Sequence, residues 1–375
     1  MARALWLLTS DVHLRPDRPE RRLALEQVFA TAARREVDAI AIAGDLFDRS
    51  RDAVGERAFV RELVESAAPR PVVLVPGNHD VDAYGETADF GANAVVLAKR
   101  PFDRATVCGQ DVVGLPYQHG RTVAQCLAGL EGDTTSSVLV AHATVTDGVA
   151  AAFAGEGEEG AYMPASAADL LRRFAWTALG HLHGGRNLVR SAGSRLVSYA
   201  GSPVATSRGE IGPRRVLLVA IEPGRGVLSV EAPELAVPFW ERVEESCSPG
   251  DEDPAIARLA ARAAAIDDPR ARVLARLSGV SLLAETELRA RATAALGRAW
   301  SEAPSRDGSA RSRAGVDGGP LLELQAASFE GLASTPVVAE FVERLSRRAR
   351  EEGAEARLLG DALRIGLGAF LESLP

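Results

Sequence analysis

Cysteine is scarce in this chain, and nothing in it reads as an anchor or an export signal. Cys108, Cys126 and Cys247 are the only three cysteines, widely spaced and never in a Cys-x-x-Cys pair. That pattern argues against a disulfide framework or a thiolate zinc site and for a reducing, cytoplasmic compartment. The N-terminus carries one short apolar run without a small-residue cleavage site, so no signal peptide is expected. No apolar stretch approaches the ~20 residues that span a membrane, and no membrane association is expected. Positive charge is not in excess either: 43 Lys and Arg against 51 Asp and Glu leave a net charge of -8 and a pI near 5.5. The chain as a whole therefore lacks a nucleic-acid footprint, although a metal site or a local basic groove can coexist with an acidic remainder. There is no internal repeat.

What the chain does have is core material. Hydrophobic residues make up 46% and charged residues 25% of 375 positions, enough for globular folding and too many for one average domain. Residues 4–8 form an apolar run closing at Thr9-Ser10-Asp11. Residues 20–35 read as an amphipathic helix with Leu23, Val28 and Phe29 among its apolar positions. The apolar strand 39–43 closes at Gly44-Asp45, a helical stretch covers 54–67, and strand 72–75 runs into Pro76-Gly77-Asn78-His79. This alternation predicts an α/β layered fold with buried strands. Further strands are expected at 111–115, 137–141, 176–180, 195–200, 214–221 and 226–231. The pattern changes near Pro233–Pro238, giving a first domain of 1–235. Residues 236–300 hold one strand-like segment (271–277) and one helical segment (283–299). Residues 301–320, rich in Ser, Gly, Pro and Arg, read as a linker, and 321–375 as a C-terminal part with a charged helix at about 336–352.

The chemistry concentrates in the histidines. Five of the six lie in short motifs at or near strand ends: Asp11-Val12-His13, Gly77-Asn78-His79-Asp80, Ala141-His142-Ala143 and Gly180-His181-Leu182-His183, accompanied by Gly44-Asp45-Leu46-Phe47-Asp48. In open α/β sheets the loops at the carboxyl ends of strands converge on ligands. Two divalent cations held close together need a carboxylate between them, and Asp45 is the candidate bridge. Asp11, His13 and His183 would complete one ion; Asn78, His142 and His181 would complete the other. Mixed oxygen and nitrogen donors suit Mn²⁺, Fe or Zn²⁺ better than Ca²⁺ or an all-oxygen Mg²⁺ site. Paired cations lower the pKa of a bridging water and hold phosphoryl oxygens for in-line attack. His79 follows a ligand directly and points elsewhere in the cleft, where it would meet the scissile phosphate or protonate the leaving oxygen. Asp48 would accept a hydrogen bond from the far nitrogen of His79 and set its tautomer. A histidine taken alone is more often a packed or surface residue; five motifs in this order, each after an apolar run, are not a chance arrangement.

These motifs resemble the calcineurin-like metallophosphoesterase superfamily, whose pattern D-x-H, G-D-x-x-D, G-N-H-D, H and G-H-x-H is complete over about residues 4–205. The resemblance implies a four-layer α/β/β/α sandwich with a smaller C-terminal capping or adaptor region. Within the superfamily, GDLFDRS, PGNHD, GHLH and Tyr199-Ala200-Gly201-Ser202-Pro203 look like the SbcD/Mre11 group of DNA repair exonucleases. That finer resemblance implies a Mn²⁺-dependent exonuclease or endonuclease, an SMC-like or related ATPase partner, and a homodimer. Arg49 after Asp48 is similar to the phosphate-binding arginine of protein phosphatases, but Ser50 and the GNHD motif depart from that family.

The substrate candidates are Arg49, His119 in Tyr117-Gln118-His119-Gly120, Arg186 just past the His-x-His motif, and Arg208 after the Gly-Ser-Pro loop. The pairs Arg21-Arg22, Arg34-Arg35, Arg172-Arg173, Arg214-Arg215 and Arg347-Arg348 read as solvated helix faces, with contact to a nucleic-acid backbone as the functional alternative. Two rivals to a DNA nuclease stand: a phosphodiesterase or phosphatase for small nucleotides using the same ions, and a scaffold subunit of an ATPase complex.

Overall fold

Every strand that delivers a motif to the site is an apolar run ending in a polar loop. The structure, a computed structural model, describes residues 3–146, 162–184, 189–248, 250–302 and 319–328, together with Glu340 and Arg344. It divides into two units, residues 1–239 and 240–375.

The first unit contains two six-stranded sheets. Strands β1 (Ala4–Thr9), β2 (Ala39–Ala43), β3 (Val72–Val75) and β4 (Ala94–Val96) run parallel; β11 (Leu217–Glu222) and β12 (Gly226–Glu231) extend the sheet antiparallel beside β1, in the order β12-β11-β1-β2-β3-β4. The second sheet is ordered β5-β6-β7-β8-β10-β9, from β5 (Asp103–Val107), β6 (Gln110–Leu115), β7 (Val138–His142), β8 (Trp176–Gly180), β9 (Val189–Ala192) and β10 (Arg195–Tyr199). Its inner four strands are parallel.

Because side chains alternate across a strand, both faces of each sheet must be covered. Trp6, Leu8, Ala41, Val73, Val140, Trp176 and Val219 fill the space between the sheets, with the Trp6 and Trp176 rings packed edge to face at 6.0 Å. The opposite face of the first sheet, including Leu7, Ile40, Ile42 and Leu74, packs on α1 (Pro19–Arg34) and α2 (Ala53–Ser66) through Leu25, Val28, Phe29, Val60 and Val64. The outer face of the second sheet packs Val113, Leu139, Leu179 and Val197 on α3 (Val123–Cys126) and α4 (Ala167–Arg173). The unit is a four-layer α/β/β/α sandwich.

The second unit builds its own core. Strands β13 (Phe239–Cys247), β14 (Ala271–Ser281) and β15 (Leu321–Ser328) form a sheet in that order. Val243, Val273, Ala275 and Leu277 pack on α5 (Glu252–Ala264) and α6 (Glu285–Glu302) through Ile256, Leu259, Leu288 and Leu296.

Several expectations need correction. Residues 236–300 hold a second strand, β13, and a second helix, α5, beyond the single strand and helix expected there. Helix α6 continues to Glu302, two residues into the segment read as linker. Leu23 does not face the core: it is 41% exposed on α1, while Leu25, Val28 and Phe29 supply the buried stripe. Of the helix expected near 336–352 only Glu340 and Arg344 are described, both helical; the rest of it and the pair Arg347-Arg348 lie outside the described residues. No helix among the described residues is long and apolar enough to cross a membrane.

Candidate metal centre

The loops after β1 and β2 are stitched together by main-chain hydrogen bonds. Asp11 N donates to Gly44 O (3.0 Å), His13 N to Asp45 O (2.9 Å) and Leu14 N to Leu46 O (2.8 Å). Across the second sheet, β7 and β8 pair with His142 opposite Gly180. These registers bring the ends of β1, β2, β3, β7 and β8 to one edge. Two glycines are fixed by the close approach. A Cβ on Gly180 would lie 1.9 Å from Ala43 O and 2.9 Å from His142 Nδ1, and one on Gly77 would lie 2.1 Å from Asp45 Oδ1. Any side chain at either position would push the loops apart.

The backbone at this edge is strained. Asp11, His13, Asp45 and His181 have φ of 55°, 52°, 50° and 104°, a region that costs a non-glycine residue about 1–3 kcal/mol. Three of the four, Asp11, His13 and Asp45, present their side chains to the converging cluster. His13 Nε2 and His183 Nε2 sit 3.1 Å apart. His183 Nε2 is 3.5 Å from Asp11 Oδ1, and Asp45 Oδ2 lies 3.2 Å from His142 Nε2 and 3.8 Å from His13 Nε2. Asn78 Oδ1 is 3.0 Å from His142 Nε2. Three sets of donor atoms each converge closely enough to hold a metal ion: Asp11, His13 and His183; Asp11, Asp45 and His142; His13, Asp45 and His79. Asp45 belongs to two of these sets and faces both His13 and His142. The His181 ring belongs to none of them; it lies edge-on to His142 at 5.2 Å and beside Tyr162 at 5.0 Å.

The electrostatics fit a cation. Burial alone would raise both aspartates, but the surrounding imidazoles outweigh it, holding Asp11 far below the usual carboxylate range and Asp45 at about 2. Burial lowers His13 and His181 to about 4. For His142 and His183 the pull of burial is overcome, by Asp45 at the first and by Asp11 and Glu210 at the second, and they rise to about 9 and about 10. The cluster thus gathers positive charge around two buried carboxylates, and divalent ions coordinated by the same Nε2 atoms would supply it in place of protons. Mixed carboxylate, amide and imidazole donors suit a transition-metal ion.

Each inward imidazole is steered from its other nitrogen. His142 Nδ1 is 3.0 Å from Ala43 O, so it donates there and leaves Nε2 for the centre. His13 Nδ1 is 3.6 Å from the Asp48 carboxylate. His79 Nδ1 is 3.0 Å from the main-chain carbonyl of Asp48. This corrects the expected arrangement: the Asp48 carboxylate does not meet His79, because Arg21 NH1 takes it at 2.8 Å. Burial would raise Asp48, and the Arg21 guanidinium overrides it and lowers it. His79 itself is exposed, anchored through its own N–H to Asp45 Oδ1 at 2.9 Å.

Residues outside the expected set complete the frame. Asp80, fully buried, accepts from Gly77 N (2.8 Å), Phe47 N (3.2 Å) and Tyr84 OH (3.1 Å), tying the β3 loop to the β2 loop. Burial and the nearby Asp45 carboxylate raise it to about 7. Arg21 is buried and also donates to His13 O, and Arg214 is buried completely; neither lies on a solvated face as its pairing with a second arginine suggested. The last residue of GNHD is the available signal for Asp80; none marks the two arginines. Of the substrate candidates, Arg49, His119 and Arg208 are exposed, His119 with Nδ1 3.4 Å from Tyr117 OH, and Arg186 lies outside the described residues.

A layered α/β domain with carboxylates and imidazoles converging at its strand ends is the build of a metal-dependent hydrolase. Residues 6–185 match the family described as calcineurin-like phosphoesterase. The chain is 26% identical over 261 residues to the SbcD component of nuclease SbcCD from Bacillus subtilis (strain 168), a match that takes in 58% of this chain and 65% of that relative's length. Among solved structures it is similar to TT1561 of Thermus thermophilus (16% identity, TM-score 0.38, 62% of this chain and 99% of that one) and to Yfce, a phosphoesterase from E. coli (17% identity, TM-score 0.31, 61% and 98%).

Proposed function

We propose that this protein is a two-metal phosphodiesterase acting on DNA, an exonuclease or endonuclease of the SbcD/Mre11 type in cytoplasmic DNA repair. The observation that carries the phosphodiesterase reading is the convergence of Asp11, His13, Asp45, Asn78, His142 and His183 at one edge, with Asp45 facing both His13 and His142. DNA as substrate is supported by the similarity to the SbcCD nuclease component over 58% of the chain and by the motif resemblance.

In this reading Asp11, His13 and His183 would hold one ion and Asn78, His142 and His181 the other, with Asp45 shared between the two. Ions of the Mn²⁺ type, with Fe or Zn²⁺ as alternatives, would supply a water of lowered pKa and a clamp on the phosphoryl oxygens when bound. The chain's own residues do the rest. His79 donates Nδ1–H to Asp48 O, which leaves Nε2 facing the cleft to carry a proton to the leaving oxygen. Asp48 holds Arg21 and faces His13, fixing that imidazole's direction. Arg49, His119, Arg186 and Arg208 are the proposed contacts to the substrate backbone. An SMC-like ATPase partner and a homodimer follow from the same resemblance, with residues 236–300 as the capping domain, 301–320 as a linker and 321–375 as the C-terminal part of the cap or adaptor.

The test is hydrolysis by the Mn²⁺-loaded chain of single-stranded DNA, DNA hairpins and cyclic nucleotides, with Asp45→Asn as control. DNA cleavage that Asp45→Asn abolishes is expected. Activity confined to small nucleotides would overturn the DNA reading and leave the metal centre standing. A metal-loaded chain that cleaves none of them, with or without an ATPase partner, would favour the scaffold reading.

A further inference from the structure

His183 has a carboxylate at hydrogen-bond distance on its far nitrogen, whereas the Asp48 carboxylate faces His13 Nδ1 from 3.6 Å and is claimed by Arg21. His183 Nδ1 lies 3.3 Å from Glu210 Oε1 and 3.0 Å from Thr206 Oγ1. Glu210 is itself held from three sides. Thr206 N donates to Oε2 at 3.1 Å, the Thr206 hydroxyl donates to Oε1, and Arg214 NH1 reaches Oε2 at 3.3 Å. Arg214 is buried completely, so its guanidinium needs partners, and it finds them in this same loop: Glu210 O (3.0 Å), Ile211 O (3.3 Å), Gly212 O (3.3 Å) and His183 O (3.2 Å). The loop that follows β10 is thus folded around one arginine whose charge serves two purposes. It fixes a carboxylate against an imidazole, and it grips the main chain of the residue that carries that imidazole.

With a hydroxyl and a carboxylate on Nδ1, only Nε2 is left to face Asp11 and His13. A carboxylate acceptor on the far nitrogen fixes the tautomer, holds the ring plane and makes the coordinating nitrogen a stronger donor. His142 has only a carbonyl in that place, which orients the ring without adding charge.

We infer that Glu210, locked by Arg214, is a positioning residue for His183 and selectively strengthens the ion that His183 holds. This rests on the two-metal reading proposed above. Thr206 shares the nitrogen but carries no charge, so its contribution is the smaller of the two.

The experiment titrates Mn²⁺ into the metal-free full chain and follows free Mn²⁺ by electron paramagnetic resonance, for the wild type, Glu210→Gln, Thr206→Val and His183→Ala. Glu210→Gln keeps the shape and removes the charge. It is expected to weaken one ion about tenfold or more and leave the other unchanged, with the melting midpoint of the metal-free chain unchanged; Thr206→Val is expected to cost less. Wild-type affinities in Glu210→Gln while His183→Ala loses an ion would overturn the inference, as would a loss in Thr206→Val equal to that in Glu210→Gln. A wild type that takes up fewer than two ions, or His183→Ala that keeps both, would sink the two-metal reading instead. A measurement on the wild type alone covers a variant that fails to fold. In the Zn²⁺-loaded chain, imidazole ¹H–¹⁵N correlation spectra should show His183 protonated at Nδ1 and metal-bound at Nε2. Metal on Nδ1 would overturn the inference.

Discussion

His79 is set apart from its neighbours by its access to solvent. Asp11, Asp45 and His142 are buried and His183 is half-buried, whereas His79 is exposed and its Nδ1 is occupied by the Asp48 carbonyl. Its exposure is what distinguishes it from the buried imidazoles and underlies its proposed role as proton carrier. His79→Asn is therefore expected to lower kcat by about 10²–10⁴-fold while metal analysis still finds two ions per chain. Loss of an ion in that variant would reassign His79 to the coordination sphere, consistent with its membership of the His13, Asp45 and His79 set. At this scale the sequence is informative about which side chains meet, because each candidate follows an apolar strand and strand ends converge. It is silent on how they are held. The left-handed backbone at Asp11, His13, Asp45 and His181 has no signature in residues that normally avoid it. Glu210 and Arg21 act across 27 residues of chain or within a loop of no regular period, so spacing does not point to them. The Asp48 carboxylate serves a different histidine from the one expected, because a buried arginine that claims it cannot be told from a surface one by its neighbours in sequence.

Helix α1 reaches the site through one side chain. Arg21 projects from its first turn into the loop after β2, donating to Asp48 at 2.8 Å and to the carbonyl of His13. Removing it strands a half-buried carboxylate beside the metal centre and releases the β1 loop from the helix. Arg21→Met is expected to cost about 2–3 kcal/mol, below the range for a fully buried pair because Asp48 keeps some solvent, and to lower Mn²⁺ affinity as well. Arg61→Ala, which breaks an exposed i,i+4 pair with Glu65 on α2, is expected to leave the denaturation midpoint unchanged. Equal effects in the two variants would remove any bracing role for Arg21. The same scale shows which elements a sequence declares. Strands β1, β2, β3, β7 and β8 are continuous apolar runs, because layers cover both faces of each sheet. Helix α5 is different: its buried stripe is Ala255, Ile256, Leu259, Ala260 and Ala263, and alanine carries little hydrophobic contrast against the arginines between. Strand β13 interleaves Val243 with Arg242 and Glu244, so charge hides its alternation. Leu23 misleads for the opposite reason, since an apolar residue on a surface helix need not face the core.

The whole molecule carries two separate cores, one layered between and around the paired sheets of residues 1–239 and one under the three-stranded sheet that follows. Every residue of the metal centre belongs to the first. A ligand that binds only the folded form stabilises it by an amount set by its concentration relative to Kd, about 2.7 kcal/mol for one site at a hundredfold excess over Kd. Two ions at that excess would contribute about twice as much, and all of it would act on the first unit. Calorimetry of the full chain is therefore expected to resolve a transition that rises with the logarithm of Mn²⁺ concentration and collapses on chelation, beside a second that ignores both. Asp45→Asn, lacking a full charge on the carboxylate between the two sets of ligands, should flatten the first dependence and leave the second transition where it was. An endotherm that moves as a single component with Mn²⁺ would mean that the two cores unfold as one cooperative body, and the second unit would then draw its stability from the metal centre as well.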